Sequence, residues 1–209
     1  MTPNASPPPS RAAPLSHWVR YVEKRLAGAD LCFDNGLQNP LWEAEYLISH
    51  VTGQPLESVE KGTGAPPSPD TVKKLLTQLE RRIGERLPLP YVTGEAFFAG
   101  LTFRIDPRAL IPRSRIENVL DDEAGVVGLL EPGARVARIL DLGTGSGCLA
   151  IALALAFPDA TVDAADLSPD ALDLAAANIR NHGLEGRVHP MRSNLFEGLV
   201  EQRFPVLLW

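Results

Sequence analysis

Apolar residues recur at helical spacing along the first third of the chain. One group comprises Trp18, Val19, Val22 and Leu26, and a second comprises Leu41, Trp42, Tyr46 and Val51. Steps of three and four residues place each group on one side of a helix, so two helices are expected. Ser68 followed by Pro69 is typical of an N-cap and a first helical turn, and predicts a third helix. The pattern predicts a small helical domain over residues 15–86, after a disordered proline-rich tail over residues 1–14.

The spacing of apolar residues changes after residue 86. Aromatic and β-branched residues flank Gly100 in YVTGEAFFAGLTFRIDPRALIPRS, a pattern typical of two strands joined by a tight turn. A β-ribbon over residues 87–113 that connects two domains is therefore expected. Residues 116–130 return to helical spacing and predict one more helix.

From Arg135 onward, strand-like and helix-like segments alternate. The strand-like segments read RVARILDL, ATVDAAD and RVHPMRS, and the helix-like segments between them read GCLAIALALAF and SPDALDLAAANIRNH. Repeated βα units with short connections predict a parallel sheet covered by helices. The expected fold class is α/β, with an N-terminal helical domain, a β-ribbon linker and a parallel-sheet domain over residues 114–209.

Charge and cysteine content narrow the class of protein. The 209 residues carry a formal net charge of −6, which disfavours broad nucleic-acid binding and would attract a basic protein partner. No apolar run reaches the roughly 18 residues of a membrane helix, and the start of the sequence lacks an export or transit pattern. Cys32 and Cys148 lie far apart and suggest neither a disulfide framework nor a zinc site. A cytoplasmic location is expected.

Three glycines in five positions follow the first predicted strand of the parallel sheet. Gly143, Gly145 and Gly147 permit a tight turn into a helix and let a ligand approach the backbone. Asp166 lies at the end of the next strand, where its carboxylate can accept hydrogen bonds from both hydroxyls of a ribose. This arrangement favours a nucleoside site over a purely structural turn. NAD stays possible, since counting from Gly145 places Ala150 at the third position of a dinucleotide motif.

Asp141 lies just before the glycines and bears on the choice of nucleoside. A carboxylate there would repel a pyrophosphate, whereas it suits S-adenosylmethionine, which has no phosphate and carries an ammonium and a sulfonium. The alternative interpretation is that Asp141 caps amides of the loop. Both interpretations are compatible with the sequence.

These residues bring the chain close to a known family. DLGTGSG, Asp166 within AADLSPDALDLAAANIRNHG, and RSNLFEGL resemble the cofactor motifs of class I S-adenosylmethionine-dependent methyltransferases, which have a Rossmann-like sheet. The upstream ribbon sequence resembles the connector of the HemK-type protein N(5)-glutamine methyltransferases. Its ending, IPRS, is similar to the branch that acts on large-subunit ribosomal protein three, with release factors as the alternative substrate. Arg115, which follows IPRS, stands where that branch usually has proline.

The resemblance implies a role for each motif residue. Asp141 and the three glycines would surround the methionine portion of the cofactor, and Asp166 would hold the ribose. Asn194 stands where the family usually has an aspartate near the adenine amino group, and its carbonyl oxygen can still accept that hydrogen bond. The family uses no metal, and neither nucleic acid nor a membrane is implied as a partner. The helical domain is expected to recognise the protein substrate.

The family's fourth strand leads into Asn-Pro-Pro-Tyr, whose asparagine side chain and proline carbonyl hold the acceptor amide. RFPVLLW aligns with that strand, and the sequence ends at Trp209, before that motif. The 209 residues are therefore expected to retain the cofactor site, to contain no catalytic residue, to be inactive in methyl transfer and to fold poorly alone. The alternative hypothesis is a non-catalytic protein-binding module, or a gene fragment with a partial nucleoside site.

Five other residues have simpler structural interpretations. Cys148 is expected to be a small packing residue, although a position near a helix N-terminus can favour a thiolate. His182 and His189 lack a metal-binding pattern and are expected to be surface or capping residues. Trp18 and Trp42 are expected in the core, although an exposed aromatic side chain could anchor a substrate protein.

Overall fold

The computed structural model describes residues 7–10, 12–33, 39–113, 136–197, 204 and 206–208. The helix expected at residues 116–130 and the residues Arg115 and Trp209 lie outside this described part. The chain divides into two compact units, Met1–Thr93 and Gly94–Trp209. Among the helices of the described segments, none is both long enough and apolar enough to cross a membrane.

The described part of the first unit is helical. Its elements are α1 (Leu15–Ala27), α2 (Pro40–Thr52), α3 (Leu56–Glu60), α4 (Pro69–Gly84) and α5 (Leu89–Thr93). The side chains of Asn39 and Ser68 cap α2 and α4 by accepting hydrogen bonds from the backbone N–H groups of Trp42 and Thr71. The three helices that the sequence predicts are confirmed, and the one-turn helices α3 and α5 were not predicted.

The core of the first unit corrects one expectation about α2. The buried positions of this helix include Ala44, Leu47, Ile48 and Val51, whereas Leu41 is 38% exposed and Trp42 is 53% exposed. The prediction that Trp42 is a core residue is therefore wrong, while Trp18 is fully buried as expected. Because α2 carries apolar residues on more than one side, spacing alone could not identify its buried face.

A buried ion pair joins α2 to α4. The side chains of Glu43 and Arg82 are each 2% exposed, and the Arg82 Nε and one terminal nitrogen donate to the two Glu43 oxygens at 2.8 and 2.9 Å. Arg82 also donates to the Cys32 carbonyl at 2.7 Å and lies over the Phe33 ring. Both charges are thus satisfied inside an apolar core.

A two-stranded hairpin begins the second unit, where the sequence predicts a tight turn at Gly100. β1 (Glu95–Phe98) pairs antiparallel with β2 (Leu101–Arg104). Ala99 and Gly100 both have positive φ, 48° and 69°, as a type I′ turn requires. Phe98 and Phe103 are buried in the same core as the parallel sheet.

The parallel sheet confirms the predicted α/β fold. Its strands are β3 (Arg138–Leu142), β4 (Thr161–Asp166), β5 (Val188–Arg192) and β6 (Val206–Leu208), in the order β5-β4-β3-β6. Helix α6 (Cys148–Ala156) connects β3 to β4, and α7 (Pro169–Asn181) connects β4 to β5. β6 lies within RFPVLLW, the segment that aligns with the family's fourth strand, and it pairs in parallel with β3. The parallel strands place the ends of β3, β4 and β5 at one edge of the sheet.

Candidate functional site

The loop between β3 and α6 has a backbone conformation that favours glycine. Gly143, Gly145 and Gly147 have φ values of 78°, 55° and 79°. The backbone N–H groups of Gly143 and Thr144 both donate to the Ala165 carbonyl, at 2.8 and 2.9 Å. The loop is therefore attached to the end of β4 while it turns into the helix.

The three glycines differ in what surrounds them. A Cβ on Gly147 would lie 3.1 Å from the Ala175 Cβ and 3.3 Å from its Cα, so glycine lets α7 pack closely on the loop. A Cβ on Gly143 would meet no atom within 4 Å. The Gly143 side of the loop thus leaves space for a ligand to contact the backbone.

Asp141 is a buried carboxylate at the end of β3. It is 2% exposed, and its Oδ2 accepts a hydrogen bond from the Thr144 hydroxyl at 2.6 Å. The pKa of Asp141 is raised to about 6, chiefly by burial and to a smaller extent by the nearby charge of Asp166, against the hydrogen bonds from Thr144 and the Ala150 backbone, which lower it. The site therefore holds a charge that would gain from a cationic partner.

Replacing Asp141 with asparagine should stabilise the unliganded chain at pH 7. A pKa near 6 means that keeping the carboxylate charged costs the folded state roughly 3 kcal/mol, at about 1.4 kcal/mol per tenfold change in proton affinity. Because the folded pKa is raised, stability from this group is present near pH 4 and is lost as the pH rises through 6. Urea unfolding of wild type and Asp141→Asn at pH 4.5 and 7 measures the difference.

The exposed Asp159→Asn substitution is the matched control for the charge removed from the same unit. It should change stability little at either pH. An advantage of Asp141→Asn that is no larger at pH 7 than at pH 4.5 would contradict the assignment of a raised pKa.

Asp166 connects the glycine loop to α7. Its Oδ2 accepts a hydrogen bond from the Gly145 N–H at 2.9 Å, and its Oδ1 accepts one from the Ser168 N–H at 2.9 Å. Each carboxylate oxygen can accept a second hydrogen bond, so these contacts leave acceptor capacity for a ligand hydroxyl. The structure thus brings Asp166 into direct contact with the predicted loop.

Asn194 follows the end of β5, at the same edge of the sheet. It is exposed, and its Nδ2 donates to Glu197 Oε1 at 3.1 Å. Its neighbour Ser193 donates its backbone N–H to the Asp166 carbonyl at 3.0 Å, which ties this segment to the end of β4. The predicted residues therefore share one edge of the sheet, with Asn194 at its periphery.

The sequence analysis did not identify Asn178 of α7. This residue is fully buried and makes hydrogen bonds to Ser146 in the loop and to Arg104 in the hairpin. The sequence does single out this residue, because Asn178 is the one polar residue on the buried face of α7, which also contains Ala171, Leu174 and Ala175.

Cys148 and His182 have structural surroundings. Burial raises the pKa of the Cys148 thiol to about 11, so the neutral thiol that a packing residue requires is favoured over the reactive thiolate. The His182 ring lies 5.0 Å from the Phe103 ring, and its Nε2 is 3.0 Å from the Thr102 carbonyl oxygen. His189 is exposed on β5.

Comparison with known proteins shows what the chain is similar to. The family model described as "Methyltransferase small domain" matches residues 126–209. Ribosomal protein uL3 glutamine methyltransferase of Bordetella pertussis is 40% identical over 194 residues, which are 93% of this chain and 64% of that protein. The protein of the same name from Burkholderia pseudomallei is 41% identical over 197 residues, 91% of this chain and 64% of that protein. The chain thus spans just under two thirds of the length of these relatives.

Among solved structures, TrmK of M. capricolum in complex with S-adenosyl-homocysteine is 22% identical, with a TM-score of 0.35 over 44% of this chain and 37% of that one. Over about nine tenths of its length the chain is therefore homologous to the ribosomal protein uL3 glutamine methyltransferases, and its residues 126–209 match the methyltransferase small domain.

Proposed function

We propose that this chain supplies the cofactor site of an S-adenosylmethionine-dependent methyltransferase that modifies a glutamine side-chain amide of ribosomal protein uL3. The observation that carries the proposal is the buried Asp141 carboxylate at the start of a loop with three positive-φ glycines. The names of the relatives support the substrate class. A ribosomal protein substrate also fits a cytoplasmic location.

The residues at the sheet edge suit this cofactor chemically. The charged form of Asp141 would attract the ammonium of the methionine portion, and the open space at Gly143 would admit that portion against the backbone. Asp166 would accept hydrogen bonds from the ribose hydroxyls, and the Asn194 carbonyl oxygen would accept one from the adenine amino group. When bound, S-adenosylmethionine supplies a methyl group on a sulfonium. A pyrophosphate beside Asp141 would be repelled, which disfavours NAD.

Calorimetry with S-adenosylhomocysteine and NAD tests the cofactor assignment. We expect S-adenosylhomocysteine to bind more tightly, and its affinity to rise as the pH increases from 5 to 7 because Asp141 loses its proton near 6. Tighter binding of NAD would overturn the proposal.

We further propose that the helical domain over residues 15–86 recognises the protein substrate, that the segment 87–113, which contains α5 and the β1–β2 hairpin, connects it to the rest of the chain, and that residues 114–209 bind the cofactor. The half-exposed Trp42 offers an aromatic anchor on the helical domain. The net charge of −6 suits a basic partner.

Binding of purified uL3 and of a release factor to the immobilised chain tests the partner. We expect uL3 to bind more tightly and Trp42→Ala to weaken that binding, while Leu56→Ala, at another exposed apolar position of the unit, changes it little. Stronger binding of the release factor would transfer the assignment to the other branch.

Asp166→Ala should weaken the affinity for S-adenosylhomocysteine by about ten- to a hundredfold, because hydrogen bonds to a charged group contribute about 1.5–3 kcal/mol. The substitution removes the acceptor for the ribose and also the partner of the Gly145 N–H. Calorimetry provides the measurement. The matched control is Asp170→Ala, which removes an exposed carboxylate from the first turn of α7, the helix that follows β4. Equal affinities of the two variants would show that the ribose lies elsewhere.

A further inference from the structure

Asn178 uses its whole side-chain amide inside the second unit. It is 0% exposed, and its Oδ1 accepts a hydrogen bond from the Arg104 N–H at 2.8 Å. Its Nδ2 donates to the Arg104 carbonyl at 3.0 Å and to the Ser146 carbonyl at 2.8 Å. Both amide hydrogens and the carbonyl oxygen are therefore engaged.

These partners belong to two separate parts of the unit. Arg104 is the last residue of β2, so Asn178 pairs with the end of the hairpin much as a neighbouring strand would. Ser146 is 2% exposed and lies between Gly145 and Gly147, both of which have positive φ. One side chain thus connects the hairpin to the glycine loop.

We propose that Asn178 is a positioning residue for the cofactor loop, and that through it the position of the hairpin is coupled to the affinity of the loop for the cofactor. This inference rests on the proposed function. Asn178 acts through the Ser146 carbonyl and does not touch the cofactor.

The loop needs such a contact because its glycines constrain the backbone weakly. Glycine at positions 145 and 147 allows many backbone conformations, and the amide donor at 2.8 Å fixes the orientation of the peptide between them. A loop held in its binding conformation before the ligand arrives loses less conformational entropy on binding. Removal of the donor would leave the buried Ser146 carbonyl without this partner.

The hairpin has a second contact with the end of α7, which allows its attachment to be weakened separately from that of the glycine loop. His182 lies against Phe103 and is within hydrogen-bonding distance of the Thr102 carbonyl. Loss of that contact would loosen the hairpin and leave the hydrogen bond from Asn178 to Ser146 in place. His182→Ala therefore loosens the hairpin while Asn178 still holds both the end of the hairpin and the loop, so it should weaken cofactor binding less than Asn178→Ala does.

Calorimetry with S-adenosylhomocysteine tests the positioning role. Asn178→Ala should weaken binding by about tenfold or more, because a buried carbonyl loses its donor. The matched control is Asn181→Ala, which removes an exposed asparagine from the same helix and should leave the affinity unchanged. Val188→Ala, at a buried position of β5, should lower stability without lowering affinity.

Hydrogen exchange provides a readout that loss of stability alone would not change. In wild type, S-adenosylhomocysteine should slow exchange of the Ile105 amide, which lies next to Arg104 at the end of the hairpin and donates to the Gly94 carbonyl, an acceptor that Asn178→Ala leaves in place. The slowing should persist in Val188→Ala and His182→Ala and disappear in Asn178→Ala at saturating ligand. If wild type does not bind S-adenosylhomocysteine, the proposed function fails. If wild type binds and Asn178→Ala retains the affinity, the positioning role is overturned. If Asn178→Ala retains the slowing, the coupling to the hairpin is overturned.

Discussion

Gly147→Ala is expected to destabilise the second unit by about 2–5 kcal/mol. The left-handed conformation at φ 79° costs a residue with a Cβ about 1–2 kcal/mol, and overpacking costs a further 1–3 kcal/mol or so. The overpacking arises because the new Cβ would lie 3.1 and 3.3 Å from the Ala175 Cβ and Cα, and a backbone atom cannot move as a flexible side chain can. Urea unfolding followed by far-ultraviolet circular dichroism measures this loss.

Gly143→Ala is the matched control, because it has the same backbone strain without the collision. Its φ is 78°, and its Cβ would meet nothing within 4 Å. It should cost only about 1–2 kcal/mol of stability. Gly143→Ala should also weaken the binding of S-adenosylhomocysteine, because the new methyl group would occupy the space proposed for the cofactor. Equal destabilisation by the two substitutions would mean that α7 does not pack against Gly147 as closely as described.

Glu43→Ala is expected to destabilise the first unit by about 3–5 kcal/mol, the usual effect of leaving one buried charge without its partner. The Arg82 guanidinium would keep its hydrogen bond to the Cys32 carbonyl and lose both contacts to the carboxylate. Hydrogen exchange of the core amides of α2 and α4 reports the stability of this unit separately.

Glu80→Ala serves as the control for Glu43→Ala. Glu80 pairs with Arg25 at 2.5 Å, but its side chain is 59% exposed, and an exposed pair contributes about 1 kcal/mol or less. If Glu43→Ala and Glu80→Ala lost similar amounts of stability, the buried ion pair would contribute no more than the exposed one. A double variant, Glu43→Leu with Arg82→Leu, should recover much of the stability, since neither charge is then left buried.

Local signals in the sequence account for most of the secondary structure. Ser68 and Pro69 define the start of α4 because an N-cap acts on amides only two or three residues away. Gly100 identifies the hairpin turn because positive φ at adjacent positions is a local requirement. The one-turn helices α3 and α5 carry too few residues for a helical period to be recognised.

The order of strands and helices makes several site residues predictable. Asp141, the three glycines and Asp166 follow strand ends, and parallel strands end at one edge of the sheet, so their proximity follows from the order of elements. Direct contact between the Gly145 N–H and Asp166 is consistent with that expectation. The roles of these residues toward a cofactor remain predictions that the binding experiments test.

The alternation of strands and helices, the glycine loop and the acids around it are predictable from the sequence, because each depends on residues close in the chain or on a simple order of elements. The exposure of Trp42, the pairing of Glu43 with Arg82, and the hydrogen bonds of Asn178 to Ser146 and Arg104 depend on packing between distant segments. Those contacts join residues 39, 32 and 74 positions apart. Their partners are selected by how the helices and strands pack, and neither spacing nor propensity along the chain specifies that packing.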